Sequence, residues 1–551
     1  MPEREPLQSQ FSIMLAGEPA SGELMRHLEH VTVETSLHLP DLATLVLHDP
    51  ALEWVDHASL APGVAVRVDV EAGASQATIF DGEIVELEPE FGATQRLTVR
   101  AFDRLHRLAR GTHARSFVNV GDDDLVRRIA GEAGLSAEIR PVPPEIYPYV
   151  LQANETNLAF LQRRAAALGY LLYVEGSTLC YVAPESQRPP IGLAWGDTLY
   201  EFRPRMSTID QVSRTIVRGW DPGAKREVLG EARSGSLAPK VGLGGDGGAV
   251  AQRAFQIEAQ DQVADQPVRS HTLADRLALA AAERHASRFI EAEGLCAGQP
   301  GLVAGATVMV GGVGQRFGGS YLVTSATHRT SAGQGYQTDF TISGMHPSTL
   351  LGLLAERPAT PPGSGLVIGV VADNDDPEGL GRVRLTFPWL SPDHTSDWAR
   401  VLSVGAGSRR GLEFLPEVDD EVLVGFEMGD IHYPYVLGGL WNGVDAPPLK
   451  PGQALKGGAV RQRAIVSRTG HTILLDDDAR GGITIQDASG NRIVLSVSRN
   501  TLTIEAQGDI SVTAGANLSL EATGNLSLKG KSVQINGDST VDVSGAMINL
   551  N

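Results

Sequence analysis

Residues 501–551 read TLTIEAQGDISVTAGANLSLEATGNLSLKGKSVQINGDSTVDVSGAMINLN, and this stretch decides the fold. Apolar residues stand in pairs one residue apart, and successive pairs start seven or eight residues apart. Because positions i and i+2 of a strand project from the same face, both members of a pair face one side. Glycine followed by Asp or Asn, as at Gly508-Asp509 and Gly524-Asn525, supplies the permissive backbone that a corner needs. The pattern predicts a repeat of one short strand and one corner, which builds an elongated rod.

One chain folded as this repeat is not expected to form a core. The paired side chains are of medium size, and their burial is too small to offset the entropy lost on ordering about fifty residues. A solenoid of one chain needs roughly 20–25 residues for each full turn, and no pattern of that period stands out. Three chains wound around one axis pair every strand with a neighbour and remove the exposed strand edges. We therefore expect a homotrimeric needle.

The pairs also identify the side chains that point towards the axis of this needle. The residues assigned to the core at the trimer axis are Leu502, Ile504, Ile510, Val512, Leu518, Leu520, Leu526, Leu528, Val533, Ile535, Val541 and Val543. The last pair is Ile548/Leu550, at the end of the repeat.

Length, charge and cysteine content exclude several classes of protein. A chain of 551 residues is expected to hold several domains, because single cores stop growing near roughly 250–300 residues. The formal charge of −20 argues against a nucleic-acid binder. No long apolar run and no signal-peptide pattern occur, so we expect neither a membrane span nor export by a signal peptide. Cys180 and Cys296 have no metal-binding spacing, and Cys180 is expected to be a buried free thiol in a reducing cytoplasm.

The first 350 residues alternate strand patterns with a few helices. Strict apolar alternation at Val64, Val66, Val68 and Val70, and again at Leu97, Val99 and Ala101, predicts half-buried strands. Capping residues and apolar stripes predict helices over Asp123–Ala133, Asn157–Leu168 and Leu273–Ala292, the last beginning at Thr272. The glycine-rich stretch Leu229–Val250 is interpreted as a mobile loop. Within it, Gly242–Gly248 lacks the Lys-Ser/Thr ending of a phosphate-binding loop.

The stretch 357–365 (RPATPPGSG) is a linker by composition. Five strand patterns follow it, which together predict a small barrel of the OB type. They are Leu366–Val371, Val383–Phe387, Ala399–Val404, Val422–Met428 and Tyr435–Leu440. From Asn442 onward there is no aromatic residue, which suits a narrow rod filled by Leu, Ile and Val.

Four stretches give the chain a resemblance to the VgrG-type spike proteins of contractile injection systems and to the hub-and-spike of contractile phage tails. Residues 60–68, 79–84 and 152–161 resemble the tail-hub domain, and residues 302–308, 319–324, 328 and 335–340 resemble the strands of a second hub barrel. Residues 379–389, 416–426 and 429–442 resemble the OB domain of the spike. The stretches 471–477 and 490–494 resemble the neck strands next to the needle. The length of the chain and its short C-terminal region favour the extracellular or phage-tail-like subclass.

The resemblance implies a mainly β fold with tandem hub β-barrels and a few helices, an OB-fold barrel and a C-terminal intertwined triple-stranded β-helix. The expected domains are 1–190 (hub barrel I with helical insertions), 191–356 (hub barrel II), 357–365 (linker), 366–447 (OB barrel), 448–500 (neck strands) and 501–551 (needle).

The resemblance also implies partners. The hub domains of a trimer would seat a hexameric inner-tube protein, and other baseplate proteins would surround them. The needle end at Met547, Ile548, Leu550 and Asn551 would contact a PAAR-type tip protein. Such a spike meets a target membrane only on firing, and it binds neither a cofactor nor nucleic acid. It would be assembled in the cytoplasm, reside in the particle and in some systems be released outside the cell.

The sequence offers no strong candidate for a catalytic or metal-binding site. His471 with Asp476, Asp477 and Asp478 is better interpreted as a hairpin turn than as a metal site, because Asp and Gly belong in turns. Asp122–Asp124 suits the start of a helix. His394 and His432 are expected to be surface residues in loops of the OB barrel. No hydrolase or zinc-protease motif occurs.

Three functions therefore stay open. The chain is expected to be a non-enzymatic central spike that seats the inner tube on its hub and pierces a target envelope with its needle. The alternatives are a tail-spike enzyme that degrades cell wall or polysaccharide, and the baseplate hub and spike of a contractile phage tail. Only about sixty residues separate Trp441 from the first regular repeat, which leaves no room for a lytic domain there.

Overall fold

The computed structural model describes residues 10–72, 75–184, 189–233, 235, 237–331, 335–345 and 365–549. The chain divides into two compact units, Met1–Leu440 and Trp441–Asn551. Strands dominate both units, so the predicted mainly β fold is confirmed.

The described residues form six α-helices, and a Ser, Thr or Asp side chain caps the N-terminus of four of them. They are α1 (Gly22–His27), α2 (Asp122–Glu132), α3 (Asn157–Leu168), α4 (Gly247–Phe255), α5 (His271–Ser287) and α6 (Pro451–Ala454), with short 3-10 turns at Ala58–Leu60, Arg104–Ala109 and Glu427–Gly429. Thr156 caps α3, and its Oγ1 accepts a hydrogen bond from the backbone N–H of Ala159 at 3.1 Å. Gly169 ends the same helix in the left-handed conformation, with a φ of 70°. The first two predicted helices are thereby confirmed, α2 with its bounds shifted by one residue.

The strands of the first 345 residues build several sheets around these helices. They are β1 (Gln10–Leu15), β2 (Glu18–Pro19), β3 (Leu28–Ser36), β4 (Leu42–His48), β5 (Ala65–Ala72), β6 (Ser75–Phe91), β7 (Gln95–Asp103), β8 (His113–Gly121), β9 (Ser136–Arg140), β10 (Ile146–Glu155), β11 (Leu171–Glu175), β12 (Thr178–Val182), β13 (Ile191–Ala194), β14 (Leu199–Met206), β15 (Arg214–Asp221), β16 (Arg226–Ala232), β17 (Lys240–Val241), β18 (Gln260–Val263), β19 (Ile290–Ala297), β20 (Thr307–Gly311), β21 (Gly319–Leu322), β22 (Ser325–Ser331) and β23 (Gly335–Ile342).

An eleven-stranded sheet joins the two predicted hub regions. Its strand order is β14-β19-β23-β22-β3-β4-β7-β6-β5-β1-β2. The two regions meet where β22 pairs antiparallel with β3, from Ser325 opposite Ser36 to Thr330 opposite Val31. The division at residue 190 stays a prediction, and strands from both sides of it share this sheet.

Apolar alternation in the sequence becomes burial in this sheet. Val66, Val68 and Val70 of β5 are fully buried, and so are Leu97, Val99 and Ala101 of β7. Because side chains of a strand alternate between its two faces, these residues line one face and form part of the core. Both strand predictions are confirmed.

The OB barrel follows the hub regions and closes on itself. Its strands are β24 (Val367–Asp373), β25 (Arg382–Phe387), β26 (Ser391–Thr395), β27 (Ala399–Val401), β28 (Glu421–Phe426) and β29 (Pro434–Gly439). The order β24-β28-β29-β27-β25 is closed by pairing of β24 with β25, and β26 adds to β25. Val383, Leu385, Val422 and Val424 fill the interior. The five predicted strands are confirmed, and β26 is an addition that the sequence pattern did not reveal.

The second unit holds short strands and one long meander. The strands are β30 (Leu455–Lys456), β31 (Ala459–Val460), β32 (Gln462–Val466), β33 (Thr472–Asp476), β34 (Gly482–Gln486), β35 (Arg492–Ser496) and β36 (Thr501–Glu505). β32 to β36 form a five-stranded antiparallel sheet in chain order. Of the predicted linker, only Gly365 lies among the described residues.

The helix predicted over Leu273–Ala292 is wrong at both ends. Its N-cap is Ser270 rather than Thr272, with Ser270 Oγ accepting a hydrogen bond from the backbone N–H of Leu273 at 3.1 Å. The helix ends at Ser287, and Ile290 already begins β19. The alternating burial of β19 shows the reason, because its period of two suits a strand in the large sheet better than a helix.

The stretch Leu229–Val250 is also not the continuous loop that its glycine content predicts. It contains the end of β16, the short strand β17 and the start of α4. At Gly230 a Cβ atom would come within 2.2 Å of the Ala274 backbone, so glycine allows β16 to pack against α5. Here glycine serves close packing rather than mobility.

Candidate functional site: an uncovered apolar sheet face

The sheet β32–β36 carries most of its apolar residues on one face. Ile473 lies opposite Ile465 on one neighbouring strand and opposite Ile485 on the other. Residues directly opposite each other in an antiparallel sheet present their side chains on the same face. Arg463 lies opposite Leu475 and is the charged residue of this face. Followed across all five strands, the pairing collects the apolar residues Ile465, Ile473, Leu475, Ile483, Ile485, Ile493, Leu495, Leu502 and Ile504 on the same face. We call this set the neck face.

No side chain of the neck face is buried. Their exposed fractions range from 38% to 63%. Covering a half-exposed side chain of this size is worth about 1 kcal/mol, so covering the whole neck face is worth on the order of 10 kcal/mol per chain. A contiguous apolar surface of this kind marks an interaction site in a soluble protein.

The opposite face of the same sheet is mixed in character. Thr472, Thr484 and Thr503 lie on it beside Leu474 and Val494. At its edge Arg492 Nε donates to Glu505 Oε2 at 2.6 Å. One face of the sheet is thus predominantly apolar, whereas the other carries both polar and apolar side chains.

The spacing of the apolar pairs changes at the end of this sheet. Pairs in the sheet start at residues 473, 483, 493 and 502, so each strand of five residues is followed by a turn of four or five. From residue 502 to residue 526 the pairs start eight residues apart. That spacing leaves about three residues for a turn after a five-residue strand. Among the described residues, those from 506 to 549 form no helix or strand within the single chain.

The residues predicted to line the needle core are all exposed in the single chain. The twelve of them, from Leu502 to Val543, have exposed fractions between 49% and 69%. Of the predicted tip contacts, Met547 and Ile548 are exposed, whereas Leu550 and Asn551 lie outside the described residues. Their inward placement stays a prediction, because no contact within one chain tests it.

The acidic segment next to His471 is a turn. Asp476 accepts hydrogen bonds from Gln462 Nε2 at 2.7 Å and from the backbone N–H of Asp478 at 3.0 Å, and these bonds lower its pKa. Gly481 follows, where a Cβ atom would meet the Asp476 carbonyl. Within the described residues, no group of three or more His, Cys, Asp or Glu side chains is placed to hold a metal ion. The interpretation of this segment as a hairpin turn is confirmed.

Two histidines of the OB barrel contact the first hub region. His394 belongs to β26 rather than to a loop, and its Nδ1 lies 3.3 Å from Ser116 Oγ of β8. His432 lies in a loop as predicted, and its Nε2 lies 3.3 Å from the carbonyl oxygen of Leu151 in β10. Both side chains are only partly exposed, so the predicted loop position is wrong for His394 and confirmed for His432. Nothing in their local sequence reveals a partner about 280 residues away.

Both cysteines are buried free thiols. Burial raises the pKa of Cys180 to about 11 and that of Cys296 to about 12, so neither is a reactive thiolate at neutral pH. The prediction for Cys180 is confirmed. No helix of the described residues is both long and apolar enough to span a membrane.

Seven of the nine residues of the neck face were not predicted from the sequence, whereas Leu502 and Ile504 were assigned to the needle core. The residues of the neck face follow the same one-apart pairing as the needle, at steps of nine or ten residues. Extending the search for pairs upstream of residue 501 would have found it.

Two family models match the chain. The first, the Alg8 N-terminal domain, matches residues 7–332, which is more than half of the chain. The chain belongs to this family. The second, the type VI secretion system/phage-baseplate injector OB domain, matches residues 367–441 and coincides with the closed barrel.

Curated relatives match over shorter stretches. The type VI secretion system spike protein VgrG1a of Pseudomonas aeruginosa is 28% identical over 150 residues, which are 26% of this chain and 23% of that protein. The actin cross-linking toxin VgrG1 of Vibrio cholerae is 35% identical over 72 residues, which are 12% of this chain and 7% of that protein. The chain thus spans about a quarter or less of these relatives.

A solved structure of a PdpA–VgrG complex in its lidless form has a similar fold. The match covers 90% of this chain and 98% of that one, with a TM-score of 0.51 and 8% identity. Together with the OB-domain match and the VgrG relatives, it confirms the predicted resemblance to VgrG-type spike proteins.

Proposed function

We propose that this protein is the homotrimeric central spike of a contractile injection system. The observation that carries the proposal is the neck face, nine apolar side chains aligned on one sheet and left half-exposed by their own chain. Three copies around an axis would turn these faces inward and cover them. The exposed pairs from Ile510 onward would then find their strand partners in the other two chains.

The change of spacing after Glu505 supports the same assembly. Steps of nine or ten residues accompany the antiparallel pairing of β33 to β36. From residue 502 to residue 526 the steps are eight residues, and residues 506–549 form no strand within the single chain. We expect each chain to continue around the axis there and to pair with its neighbours. A rod built in this way has no free sheet edge, which makes it resistant to shear.

The proposed role is mechanical rather than catalytic. The hub regions would seat a hexameric inner tube and contact other baseplate proteins, and the needle end would carry a small tip protein of the PAAR type. Contraction would drive the needle through a target envelope. The match to the injector OB domain and the VgrG relatives support this role. The protein would be assembled in the cytoplasm and reside in the particle, which suits the extracellular or phage-tail-like subclass.

Removal of the needle alone tests the proposal. Particles carrying a chain truncated after Glu505 are expected to assemble and contract, because the hub and the OB barrel remain, but to lose at least tenfold of their delivery into target cells. Full delivery without the needle would contradict a piercing role. Lysis of cell wall by the purified full-length protein would favour the enzymatic alternative.

A further inference from the structure

Two acidic side chains lie opposite each other at the end of two neighbouring strands of the large sheet. Leu42 of β4 pairs with Phe102 of β7, and one residue further the backbone N–H of Asp103 donates to the carbonyl oxygen of Asp41 at 2.9 Å. This bond continues the ladder, so Asp41 stands directly opposite Asp103. Residues opposed in this way project from the same face, with Cβ atoms about 5 Å apart. The two carboxyl groups are therefore within reach of each other, and we call them the acid pair.

Backbone groups hold the acid pair in place. Asp41 Oδ1 accepts from the Ser36 N–H at 2.9 Å, and Asp103 Oδ1 accepts from the Leu105 N–H at 3.0 Å. Asp103 is only 5% exposed, and Asp41 is partly buried. A carboxylate has room for about four hydrogen bonds, so one backbone donor each compensates little of the charge that two buried carboxylates would carry.

The cation next to the acid pair in sequence is engaged elsewhere. Arg104 Nη1 donates to Asp81 Oδ1 at 3.1 Å and to the carbonyl oxygen of Gly176 at 2.9 Å. Its Nε lies 3.8 Å from Glu83 Oε1. Arg104 is thus shared among two other carboxylates and a carbonyl group, and it is not free to neutralise the acid pair.

Burial and mutual repulsion both favour the protonated form of the acid pair. Burial raises the pKa of Asp103 to about 7, although its backbone hydrogen bonds and the Arg104 charge act in the other direction. Burial, followed by the charge of Asp103, raises the pKa of Asp41 well above its usual range. Both effects are those expected of two carboxyl groups that share one buried place.

The acid pair lies where the large sheet meets the helical part of the first hub region. The turn between β3 and β4 leads into Asp41, and Gln162 Nε2 of α3 donates to the His38 carbonyl oxygen in this turn at 3.0 Å. Asp103 caps the 3-10 turn Arg104–Ala109, whose buried leucines pack in the same cluster as α3. Both strand ends that carry the acid pair thus continue into contacts with α3.

We propose that Asp41 and Asp103 share one proton in the folded hub, and that loss of this proton loosens the junction between the large sheet and α3. With the proton present, one carboxyl group donates to the other and the acid pair bears a single negative charge. When the proton leaves to water, two like charges remain side by side.

The sign of the pH dependence follows from the raised pKa of Asp103. A carboxyl group of this kind binds its proton more tightly in the folded than in the unfolded state. Its contribution to stability is therefore complete below about pH 4 and is lost as the pH rises to about 7. The junction is tighter in acid than at neutral pH.

Other titratable groups face the same junction and need controls. On the 3-10 turn, His106 Nδ1 lies 2.7 Å from the Asp103 carbonyl oxygen, and Arg107 Nε donates to Glu83 Oε2 of β6 at 3.1 Å. The turn between β3 and β4 adds His38, whose pKa is lowered by burial. The contribution of His38 to stability is lost as the pH falls, which is opposite in sign to the acid pair.

Hydrogen exchange of the full-length protein tests the proposal. Peptides that cover the 3-10 turn Arg104–Ala109 are followed by mass spectrometry at pH 5 and pH 7, and each rate is corrected for the intrinsic exchange rate at that pH. Protection of these amides is expected to be at least tenfold lower at pH 7 than at pH 5, because opening releases the strain of the acid pair. Equal protection at the two pH values would overturn the proposal.

Two substitutions distinguish a shared proton from a single buried acid. Asp41→Asn and Asp103→Asn each keep an oxygen that accepts the backbone hydrogen bond, from Ser36 or from Leu105, but cannot ionise. In either variant the remaining acid has no charged neighbour opposite it, so the ratio of protection between pH 5 and pH 7 should fall below threefold. A wild-type ratio in Asp41→Asn would show that Asp103 titrates alone and would contradict the shared proton.

Two further variants serve as controls. Asp56→Asn removes an exposed carboxylate of the same hub region and should keep the wild-type ratio. His106→Gln should keep it as well, whereas loss of the ratio in this variant would identify the histidine, rather than the acid pair, as the sensor and would overturn the assignment. Because the acid pair lies within one chain, these outcomes do not depend on whether the protein is a trimer or a spike.

Discussion

Ile483 of β34 lies directly opposite Leu495 of β35, and both side chains remain about two-fifths exposed, at 38% and 43%. In a sheet with one covered face, an opposed Ile–Leu pair belongs to the core. Here the pair has no cover within its own unit of the chain. In the proposed trimer, other copies of the chain would cover this pair.

A charge on the neck face should prevent assembly. Leu495→Asp is expected to yield monomers at micromolar concentration, because a trimer would bury three carboxylates near one axis at several kcal/mol each. Thr484→Asp lies on the other face of the same sheet and serves as the control. Native mass spectrometry of both variants measures the difference, and a trimer of Leu495→Asp would contradict the inward placement of this face.

The needle pairs make a parallel prediction. Leu520→Asp is expected to prevent formation of an SDS-resistant trimer, whereas Ser519→Asp, on the water-facing residue between two paired leucines, should leave it intact. Gel electrophoresis without heating reads out both variants. Equal behaviour of the two would mean that the pairs do not face the axis.

Stability of the hub should depend on pH through His328. Burial lowers the pKa of this histidine to about 4, while its Nδ1 lies 2.8 Å from the Tyr336 hydroxyl. A base with a depressed pKa in the folded state takes up a proton more readily when unfolded, so its contribution to stability is lost as the pH falls from about 6.5 to about 4. The loss amounts to about 3 kcal/mol between pH 7 and pH 4.

A substitution of His328 separates its contribution to the pH dependence of stability from that of other titratable groups. Burial raises the pKa of Asp103 to about 7, which acts with the opposite sign. His328→Gln keeps a polar group but cannot titrate. The free energy of unfolding, measured with denaturant, should therefore differ less between this variant and wild type as the pH falls from 7 to 4. A difference that stays constant with pH would contradict a neutral buried imidazole.

The cap of α3 makes a prediction about local stability. Thr156→Ala removes the acceptor of the Ala159 backbone N–H and should lower the free energy of unfolding by about 1 kcal/mol. Thr156→Ser retains the hydroxyl and should lose only a small part of that stability. Thermal unfolding of both variants checks the assignment, and equal losses would show that the cap bond contributes little.

Local periodicity explains what the sequence alone could predict. The bounds of α3 follow from Thr156 and Gly169, and the OB strands follow from short apolar alternations between turns. These signals lie within a few residues of the structure that they determine.

Contacts between distant residues explain the rest. The packing of Ile431 on Tyr149 joins residues about 280 positions apart, and no local pattern encodes it. The sequence around Gly230 is typical of a loop, and only the close contact with the Ala274 backbone explains why a glycine is needed there. The end of α5 was missed for a related reason, because β19 is shaped by its place in the large sheet rather than by its own propensity.

The mass of the purified full-length protein in solution tests the central claim most directly. One chain has a mass of 58.5 kDa. If three chains cover one another's neck faces and pair their needle strands, the protein forms a single species of three times that mass. Native mass spectrometry or sedimentation equilibrium at micromolar concentration should detect this species. A monomer of 58.5 kDa under the same conditions would contradict the trimeric spike.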